Sequence, residues 1–282
     1  MSTLTENRTT ASAPRGTTTH DVTFPRVVHA EWIKFRTLRS TAWVLGLTVL
    51  VMAGLSALMG WAATLEGGGE VTGSAATLVT FGYTMAQLAV AVLGVLTVTG
   101  EYSTGMIRST FAAVPRRLPA LGAKVLVVAA VVAVVSVVGI ALAHLVSLPF
   151  QSRAGLSLDL SDGETLRILL GTPLYLATIA VFSLAIGAIV RNSAGALAIV
   201  LGLLLVVENV FSAIPLAFFQ NVSPFLPSTA GSKLLTDAEM AEAIAQFTTG
   251  PQLGPWEGYG VLVGWVVVLL AVAAVLLRRR DA

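Results

Sequence analysis

The sequence contains no cysteine and few charged residues. The absence of cysteine excludes disulfides, thiolate metal sites and cysteine nucleophiles. Only 11% of the 282 residues are charged, whereas soluble domains carry about a quarter. Hydrophobic residues make up 55% of the chain, and the mean hydropathy is +0.84. This composition is typical of a protein that crosses a membrane several times.

Motifs of catalytic and nucleotide-binding sites are also absent. The sequence has no G-x-x-x-x-G-K-[ST] loop to hold phosphates, no H-E-x-x-H zinc motif and no G-x-S-x-G nucleophile turn. The three histidines, His20, His29 and His144, lie far apart and have no metal-ligand spacing. We therefore expect a protein that is not an enzyme, holds no metal and binds no cofactor itself.

Six apolar stretches dominate the chain, over residues 41–63, 77–99, 121–146, 168–190, 194–217 and 258–277. Each has about the 20 residues that a helix needs to cross a hydrocarbon core of about 30 Å. Backbone polar groups in lipid must bond within their own segment, so these stretches are predicted to be helices. The sequence thus predicts an all-α polytopic membrane protein with six transmembrane helices. Interior glycines are expected at close helix contacts, namely Gly94, Gly139, Gly187 and Gly202.

The basic residues predict the orientation. With a cytoplasmic N-terminus, all 17 Lys and Arg residues lie on the cytoplasmic side except Arg153, Arg167 and Lys233. Most acidic residues fall in the outer segments instead. Because cytoplasmic loops are enriched in Lys and Arg, we expect a multi-pass protein of the plasma membrane with both termini in the cytoplasm.

Two segments precede the first apolar stretch. Residues 1–23 are rich in Ser and Thr and have few large apolar residues, which predicts a disordered cytoplasmic tail. In residues 24–40, apolar side chains including Trp32 gather on one side of a helical wheel, although Glu31 and Arg39 intrude there. Basic and aromatic residues on one helix favour the headgroup region, so we predict an interfacial amphipathic helix. The alternative is a basic flank of the first transmembrane helix.

A polar interruption separates the second and third apolar stretches, over residues 100–124, G-E-Y-S-T-G-M-I-R-S-T-F-A-A-V-P-R-R-L-P-A-L-G-A-K. Its charges are four basic residues and the single acid Glu101. Residues 105–114 have apolar side chains at near-helical spacing, which predicts a short amphipathic helix that ends before the next proline. In a protein without a soluble domain, such a helix is expected to contact another protein. The alternative is a helix that only lies on the membrane surface.

Few strongly polar residues lie inside the apolar stretches. Glu208 and Asn209 in the fifth stretch are the outstanding pair, and Gln87 lies in the second. An intramembrane acid usually faces the interior of a bundle or a wet cavity, so these residues are candidates for a translocation path. The alternative is a structural role through hydrogen bonds between helices.

The outer segments differ in character. In residues 218–257, Thr236 followed by Glu239 is a capping-box pattern, which predicts a helix that ends near Phe247. The preceding phenylalanines and leucines make this segment apolar enough to dip back into the outer leaflet. Residues 147–167 are acidic and are predicted to be irregular.

Three motifs together resemble those of the ABC-2-type transporter permeases, the membrane subunits of ATP-binding-cassette exporters whose ATPase is a separate chain. The motifs are E-W-I-K-F-R-T-L-R-S before the first apolar stretch, G-E-Y-S-T-G-M-I-R-S-T after the second, and V-P-R-R-L-P-A-L-G-A-K into the third. The resemblance implies a six-helix transmembrane domain over residues 41–282. It also implies efflux by a dimer of two copies, or of this chain and a paralogue, in membrane lipid.

The resemblance further implies two ATPase subunits, which would hold ATP and Mg, and no nucleic-acid partner. The coupling helix that docks on the ATPase falls on Glu101, Tyr102, Gly105, Met106, Ile107, Arg108, Phe111, Arg116 and Arg117. Glu101 and Arg108 are expected to make polar contacts to the ATPase, and the apolar residues are expected to fill its groove. The interfacial helix includes Glu31, Trp32, Lys34, Arg36 and Arg39, and short outer helices fall on residues 218–257.

Other functions stay open beside an ATP-driven exporter. A secondary transporter would be expected to have internal repeats and several mid-membrane charges, and we find neither in the sequence. A membrane-embedded enzyme would need a catalytic constellation, and none is recognisable. A non-transporting regulatory subunit of an ATPase complex would be separated from an exporter by testing whether hydrolysis is coupled to transport.

Overall fold

The computed structural model describes residues 23–65, 74–106, 117–247 and 250–279. These residues form helices and contain no strand, which confirms the predicted all-α class. The α-helices are α1 (Phe24–Thr37), α2 (Arg39–Leu65), α3 (Ala75–Thr80), α4 (Tyr83–Ser103), α5 (Arg117–Arg153), α6 (Gly163–Val190), α7 (Ser193–Leu201), α8 (Glu208–Ala213), α9 (Ala217–Val222), α10 (Pro227–Ser232), α11 (Ala238–Phe247) and α12 (Pro255–Arg279). A π-helical turn, Gly202–Val207, joins α7 to α8, and two 3₁₀ turns, Ser223–Phe225 and Lys233–Leu235, flank α10.

Six helical segments within the described residues are long and apolar enough to span a membrane, which confirms the predicted number. These spans are Arg39–Ala62, Ala75–Ser103, Leu118–Arg153, Gly163–Val190, Ser193–Ala213 and Pro255–Arg279. Helix α5 continues to Arg153 and α6 begins at Gly163, so the prediction of irregular structure over residues 147–167 is wrong at both ends. Its last turns are supported by side-chain bonds, since Ser147 donates to the Ala143 carbonyl and Gln151 donates to the Ser147 hydroxyl.

The fourth span is the centre of the bundle. In its most apolar window 72% of the residues are buried, against 17% for the first span. Tyr175, Phe182 and Leu184 on this span are fully buried, and the second span packs along its length. The other spans expose leucine and valine, as lipid-facing helices do.

Small residues allow the second and fourth spans to touch through their backbones. A Cβ atom at Gly94 would overlap the Ala180 carbonyl oxygen, and one at Gly187 would press on the backbone of Val95. Gly139 lies against the side chain of Met52. The predicted close contacts are therefore confirmed at three glycines. At Gly202 no atom of the described residues lies within 4 Å of a Cβ placed there, so the structure shows no close contact at that glycine.

The alternation of the spans gives the bundle two ends. One end, called here the terminal face, carries α1, the end of α4, the start of α5 and the end of α12. The other end, called the opposite face, carries the segment between the fifth and sixth spans. Residues 223–235 of this segment return into the bundle and pack on α6 and α12. Ser228 there meets Tyr175, which is 12 residues into α6 and thus about 18 Å along it.

Helix α1 packs on α5 through a stripe formed by Val27, Glu31 and Phe35. Trp32, which the helical wheel places on the apolar side of this helix, is 44% exposed. Glu31 occupies the buried stripe because it has cationic partners there, as described below. The interfacial position of α1 stays a prediction. Residues 1–22 of the predicted tail and most of the predicted 105–114 helix lie outside the described residues.

Candidate functional site

Four charged side chains lie together at the terminal face and are called here the ionic quartet: Glu31, Lys34, Glu101 and Lys124. Lys124 Nζ lies 2.6 Å from Glu31 Oε2 and 2.9 Å from Glu101 Oε1. Lys34 Nζ lies 2.8 Å from Glu31 Oε1 and 3.2 Å from Glu101 Oε1. Each lysine therefore bonds both carboxylates, and the cluster carries no net charge.

The quartet is largely removed from water. Glu31, Glu101 and Lys124 are buried, and the side chain of Lys34 is 30% exposed. Burying a charge is costly unless it is paired and hydrogen-bonded. Among the described residues Glu101 Oε2 has no hydrogen-bond partner, so this carboxylate depends on the two lysines at its other oxygen. Loss of either lysine would leave buried negative charge without compensation.

Glu31 and Lys34, the two quartet members on α1, have pKa values shifted in the direction that favours the charged form of each. Burial alone would raise the pKa of Glu31, but Lys124 and Lys34 bring the pKa below its ordinary value. Burial would lower the pKa of Lys34, but Glu31 and Glu101 bring it above its ordinary value. The Glu31 contribution to stability is lost only as the pH falls through its lowered pKa. The Lys34 contribution is lost only as the pH rises through its raised pKa.

The quartet joins three helices at the base of the predicted coupling segment. Glu31 and Lys34 come from α1, Glu101 from the last turn of α4 and Lys124 from the start of α5. Helix α1 packs broadly on α5, and the Lys34–Glu101 bond connects it to α4. A cleft of about 410 Å³ opens beside these residues, and Met106 lies on its wall.

The residues predicted to contact an ATPase have different surroundings. Glu101 is buried, and its Oε1 lies within ion-pair distance of Lys34 and Lys124 of its own chain. Its contact with an ATPase stays a prediction. Tyr102 is half-buried, and the guanidinium of Arg191 lies 5.2 Å from the centre of its ring. Met106 is 41% exposed at the end of the described segment.

Other predicted coupling residues lie outside what the structure describes: Ile107, Arg108, Phe111 and Arg116. Arg117 is the first residue of α5. Gly105 has a φ of 72°, a left-handed conformation that glycine adopts without strain. Among the residues predicted for the interfacial helix, Trp32, Arg36 and Arg39 are exposed, while Glu31 and Lys34 belong to the quartet.

Lys124 is the quartet member to which the sequence pattern assigns no role. Two signals nevertheless point to it. Glu31 intrudes on the apolar side of its helical wheel, and Lys124 lies inside the predicted third apolar stretch. Opposite charges at two positions that should be apolar indicate a buried pair, because neither is tolerated there alone.

Glu208 is buried and binds the backbone of residues 223–235, which are called here the returning segment. Its Oε1 accepts from Ser228 N at 2.9 Å, and its Oε2 accepts from Thr229 N at 2.6 Å and the Thr229 hydroxyl at 2.8 Å. These amides begin α10, whose first residue, Pro227, has no N–H to satisfy. A carboxylate at a helix start also matches the helix dipole. Glu208 thus provides the acceptors that backbone at this depth requires.

Gln87 and Asn209, the other polar residues predicted for a translocation path, have different surroundings. Gln87 Oε1 accepts from the hydroxyls of Tyr175 and Ser228, so Gln87 and Glu208 hold the same returning segment. Asn209 is exposed and bonds the Leu205 carbonyl of its own helix at 2.9 Å. The contacts of Gln87 and Glu208 support the structural alternative over a translocation path.

Replacement of Glu208 should therefore destabilise the protein. Glu208→Ala leaves the buried Ser228 amide and the partly buried Thr229 amide without acceptors. We expect the free energy of unfolding to fall by about 2 kcal/mol or more. Asn209→Ala, at the exposed neighbouring position, is the matched control and should change little. Thermal unfolding in detergent, followed by size-exclusion chromatography, measures both. Loss of transport by Glu208→Ala with unchanged stability would instead support a path role.

A second polar cluster, at the opposite face, connects the end of the returning segment to the second and fourth spans. Asp237 Oδ2 accepts from Ser74 N at 3.0 Å and from the Thr77 hydroxyl at 2.7 Å. Arg167 donates to the Leu234 and Thr236 carbonyls at 2.7 and 2.9 Å. The starts of the second and fourth spans are thus tied to the segment between the fifth and sixth.

Asp237 also corrects the predicted cap of α11. Its Oδ1 accepts from Met240 N at 2.8 Å, whereas the Thr236 hydroxyl bonds the Ser232 carbonyl. The helix therefore begins one residue later than the capping-box pattern predicts, although it ends at Phe247 as expected. Burial would raise the pKa of Asp237, but its bonds to Thr77, Ser74 and Met240 bring the pKa below its ordinary value.

Comparison with known proteins identifies the family. A search of curated proteins finds no match to this chain. A family model described as ABC-2 family transporter protein matches residues 63–275. This range is most of the chain and includes the second to fifth spans, most of the sixth, the returning segment, and Glu101 and Lys124. The chain is therefore a multi-pass membrane protein of the ABC-2 transporter family, whose members act as permeases with ATPase partners.

Proposed function

We propose that this chain is the permease subunit of an ATP-driven exporter and that it works as a dimer coupled to separate ATPase subunits through residues 100–117. The terminal face is then cytoplasmic. The ionic quartet is the observation that supports this proposal best. It ties α1, α4 and α5 together at the base of the segment that would contact the ATPase.

The quartet lies close to both ends of that segment. Glu101 lies five residues before Met106, the last described residue on that side, and Lys124 lies seven residues after Arg117. Closure of two ATPase subunits is a change between two states. It can shift the conformational equilibrium of the permease only through elements whose contacts differ between those states. Because α1, α4 and α5 share one ionic cluster, a displacement of the loop would move the three helices together.

Glu101 has a revised role in this mechanism. Its carboxylate holds Lys34 and Lys124 inside the permease, and the ATPase contact is assigned to the exposed Met106 and to the residues that follow it in the sequence. Arg108 and the apolar residues Ile107 and Phe111 stay as proposed contacts. The ATPase would hold ATP and Mg, and the permease would contribute the membrane path.

Two glycines offer a matched test of the coupling segment. Gly105 and Gly155 have φ values of 72° and 68°, and no atom of the described residues lies within 4 Å of a Cβ at either position. Proline requires a φ near −65°, so Gly105→Pro and Gly155→Pro impose a similar backbone change, the first in the coupling segment and the second at the opposite face. We expect Gly105→Pro to reduce ATPase co-purification and ATP-dependent transport at least tenfold.

Gly155→Pro should leave both measurements near the values of the unchanged protein. Each variant is purified from membranes with the ATPase encoded by a neighbouring reading frame. Equal losses in the two variants would indicate a general folding defect. Full assembly and transport by Gly105→Pro would contradict coupling through this segment.

A further inference from the structure

A second cavity, of about 270 Å³, lies at the opposite face between the end of the fifth span and the segment that follows it. Hydroxyl, amide, aromatic and ammonium groups meet on its wall, contributed by Phe211, Ser212, Gln220, Thr229, Lys233 and Gln252. It lies far from the ionic quartet, and the proposed coupling mechanism does not use it.

Lys233 is the unusual member of this wall. It is half-buried, and within the described residues its ammonium has neither an ion pair nor a hydrogen bond. Burial lowers the pKa of Lys233, and no carboxylate offsets that effect. Arg167, also at this face, is by contrast bound to Glu164 and two carbonyls. A half-buried cation without a counter-ion is costly, so a bound anion would stabilise it.

An exposed tryptophan near Lys233 indicates the level of the membrane interface. Leu234 beside it packs on Gly171, eight residues into α6 and thus about 12 Å from its start. The Lys233 side chain also lies against Gly258. Two residues before that glycine is Trp256, which is 62% exposed. Exposed tryptophan is typical of the headgroup level, where phosphate groups of lipids are concentrated.

Apolar surface continues outward from the cavity. Phe211 stacks edge-to-face on Phe219, with ring centres 4.8 Å apart, and Phe218 beside them is 65% exposed. A ligand held at Lys233 by its anionic group could therefore place an acyl chain along these rings. The polar side chains of Ser212, Gln220 and Gln252 also lie on the wall.

We propose that this cavity binds a phosphate group, with Lys233 as its counter-ion, and that an anionic phospholipid of that leaflet supplies it. Free inorganic phosphate has the same anionic group as the lipid headgroup, so the experiment tests each source in a separate arm. The site needs no ATPase and is independent of the transport mechanism proposed above.

The lipid arm uses the full chain in nanodiscs of phosphatidylcholine with a minor fraction of phosphatidylglycerol. Native mass spectrometry then measures how much phosphatidylglycerol stays bound after transfer to detergent. We expect Lys233→Met to lower the retained amount about tenfold. Lys233→Arg, which keeps the charge, should retain most of it. Arg153→Met is the matched control, because Arg153 is an exposed basic residue of the same face.

The phosphate arm repeats the measurement with increasing inorganic phosphate. Displacement of the lipid that depends on Lys233 supports a phosphate site. Binding of phosphate at Lys233 without lipid retention keeps the site and assigns it to the free anion. Equal retention in Lys233→Met and the unchanged protein would overturn the proposal. An equal loss in Lys233→Met and Arg153→Met would overturn it too, because it would indicate nonspecific surface charge.

Discussion

Lys124→Met is expected to lower the free energy of unfolding by about 3–5 kcal/mol, the usual cost of removing one partner from a buried ion pair. Methionine fills a similar volume, so the loss is electrostatic. Without Lys124, Glu31 and Glu101 stay buried with Lys34 as their shared cation. Thermal unfolding of the purified protein in detergent measures the change, together with the fraction recovered as a monodisperse peak.

Two further variants make this prediction specific. Arg36→Met removes a cation from the exposed side of α1 and should change stability little. Lys124→Met combined with Glu101→Gln removes one charge of each sign and leaves Glu31 paired with Lys34, so it should be less destabilised than Lys124→Met alone. Additive losses in the double variant would show that the two residues do not interact. That result would contradict the quartet.

Gly94→Leu is expected to cost about 3 kcal/mol or more, at the upper end of the range for overpacked cores. A Cβ at this position would overlap the backbone oxygen of Ala180, which cannot rotate away as a side chain could. The second and fourth spans would have to separate along the most buried contact of the bundle. We expect little folded protein by fluorescence-detected size-exclusion chromatography.

Gly100→Ala is the matched control for this substitution. It lies on the same helix, and a Cβ there meets no atom within 4 Å. Its stability should equal that of the unchanged protein or slightly exceed it, since alanine is the better helix former. Normal folding of Gly94→Leu would contradict the close contact between these two spans.

The spans could be predicted from the sequence because hydropathy and length decide them with little help from tertiary structure. The continuation of α5 to Arg153 could not, because it depends on local bonds made by Ser147 and Gln151. The predicted start of α11 is wrong by one residue for a similar reason. Thr236 and Asp237 can both cap a helix, and only the position of Ser74 and Thr77 favours Asp237.

The candidate site was predictable in part. Glu31 and Glu101 stand out in the sequence, but their partner Lys124 is distant from Glu31 and belongs to a stretch predicted from apolar content alone. Glu208 is recognisable in the sequence as an unusual intramembrane acid. Its role depends on Ser228, which is 20 residues later in the chain and returns to bond its carboxylate. The hydrophobic period of a helix predicts on which side of that helix a residue lies. It does not predict which other helix packs against that side.

Cysteine labelling tests the central claim most directly, because the natural chain contains no cysteine. Ser103→Cys places one thiol at the exposed base of the coupling segment, and Ser152→Cys places one at the opposite face. A membrane-impermeant maleimide is applied to intact cells and to inside-out vesicles with and without the ATPase. We expect the thiol of the Ser103→Cys variant to react only in the inside-out vesicles and to be protected by the ATPase, and the thiol of the Ser152→Cys variant to react only in intact cells. Reaction of the Ser103→Cys variant in intact cells, or no protection of it by the ATPase, would contradict the proposed coupling.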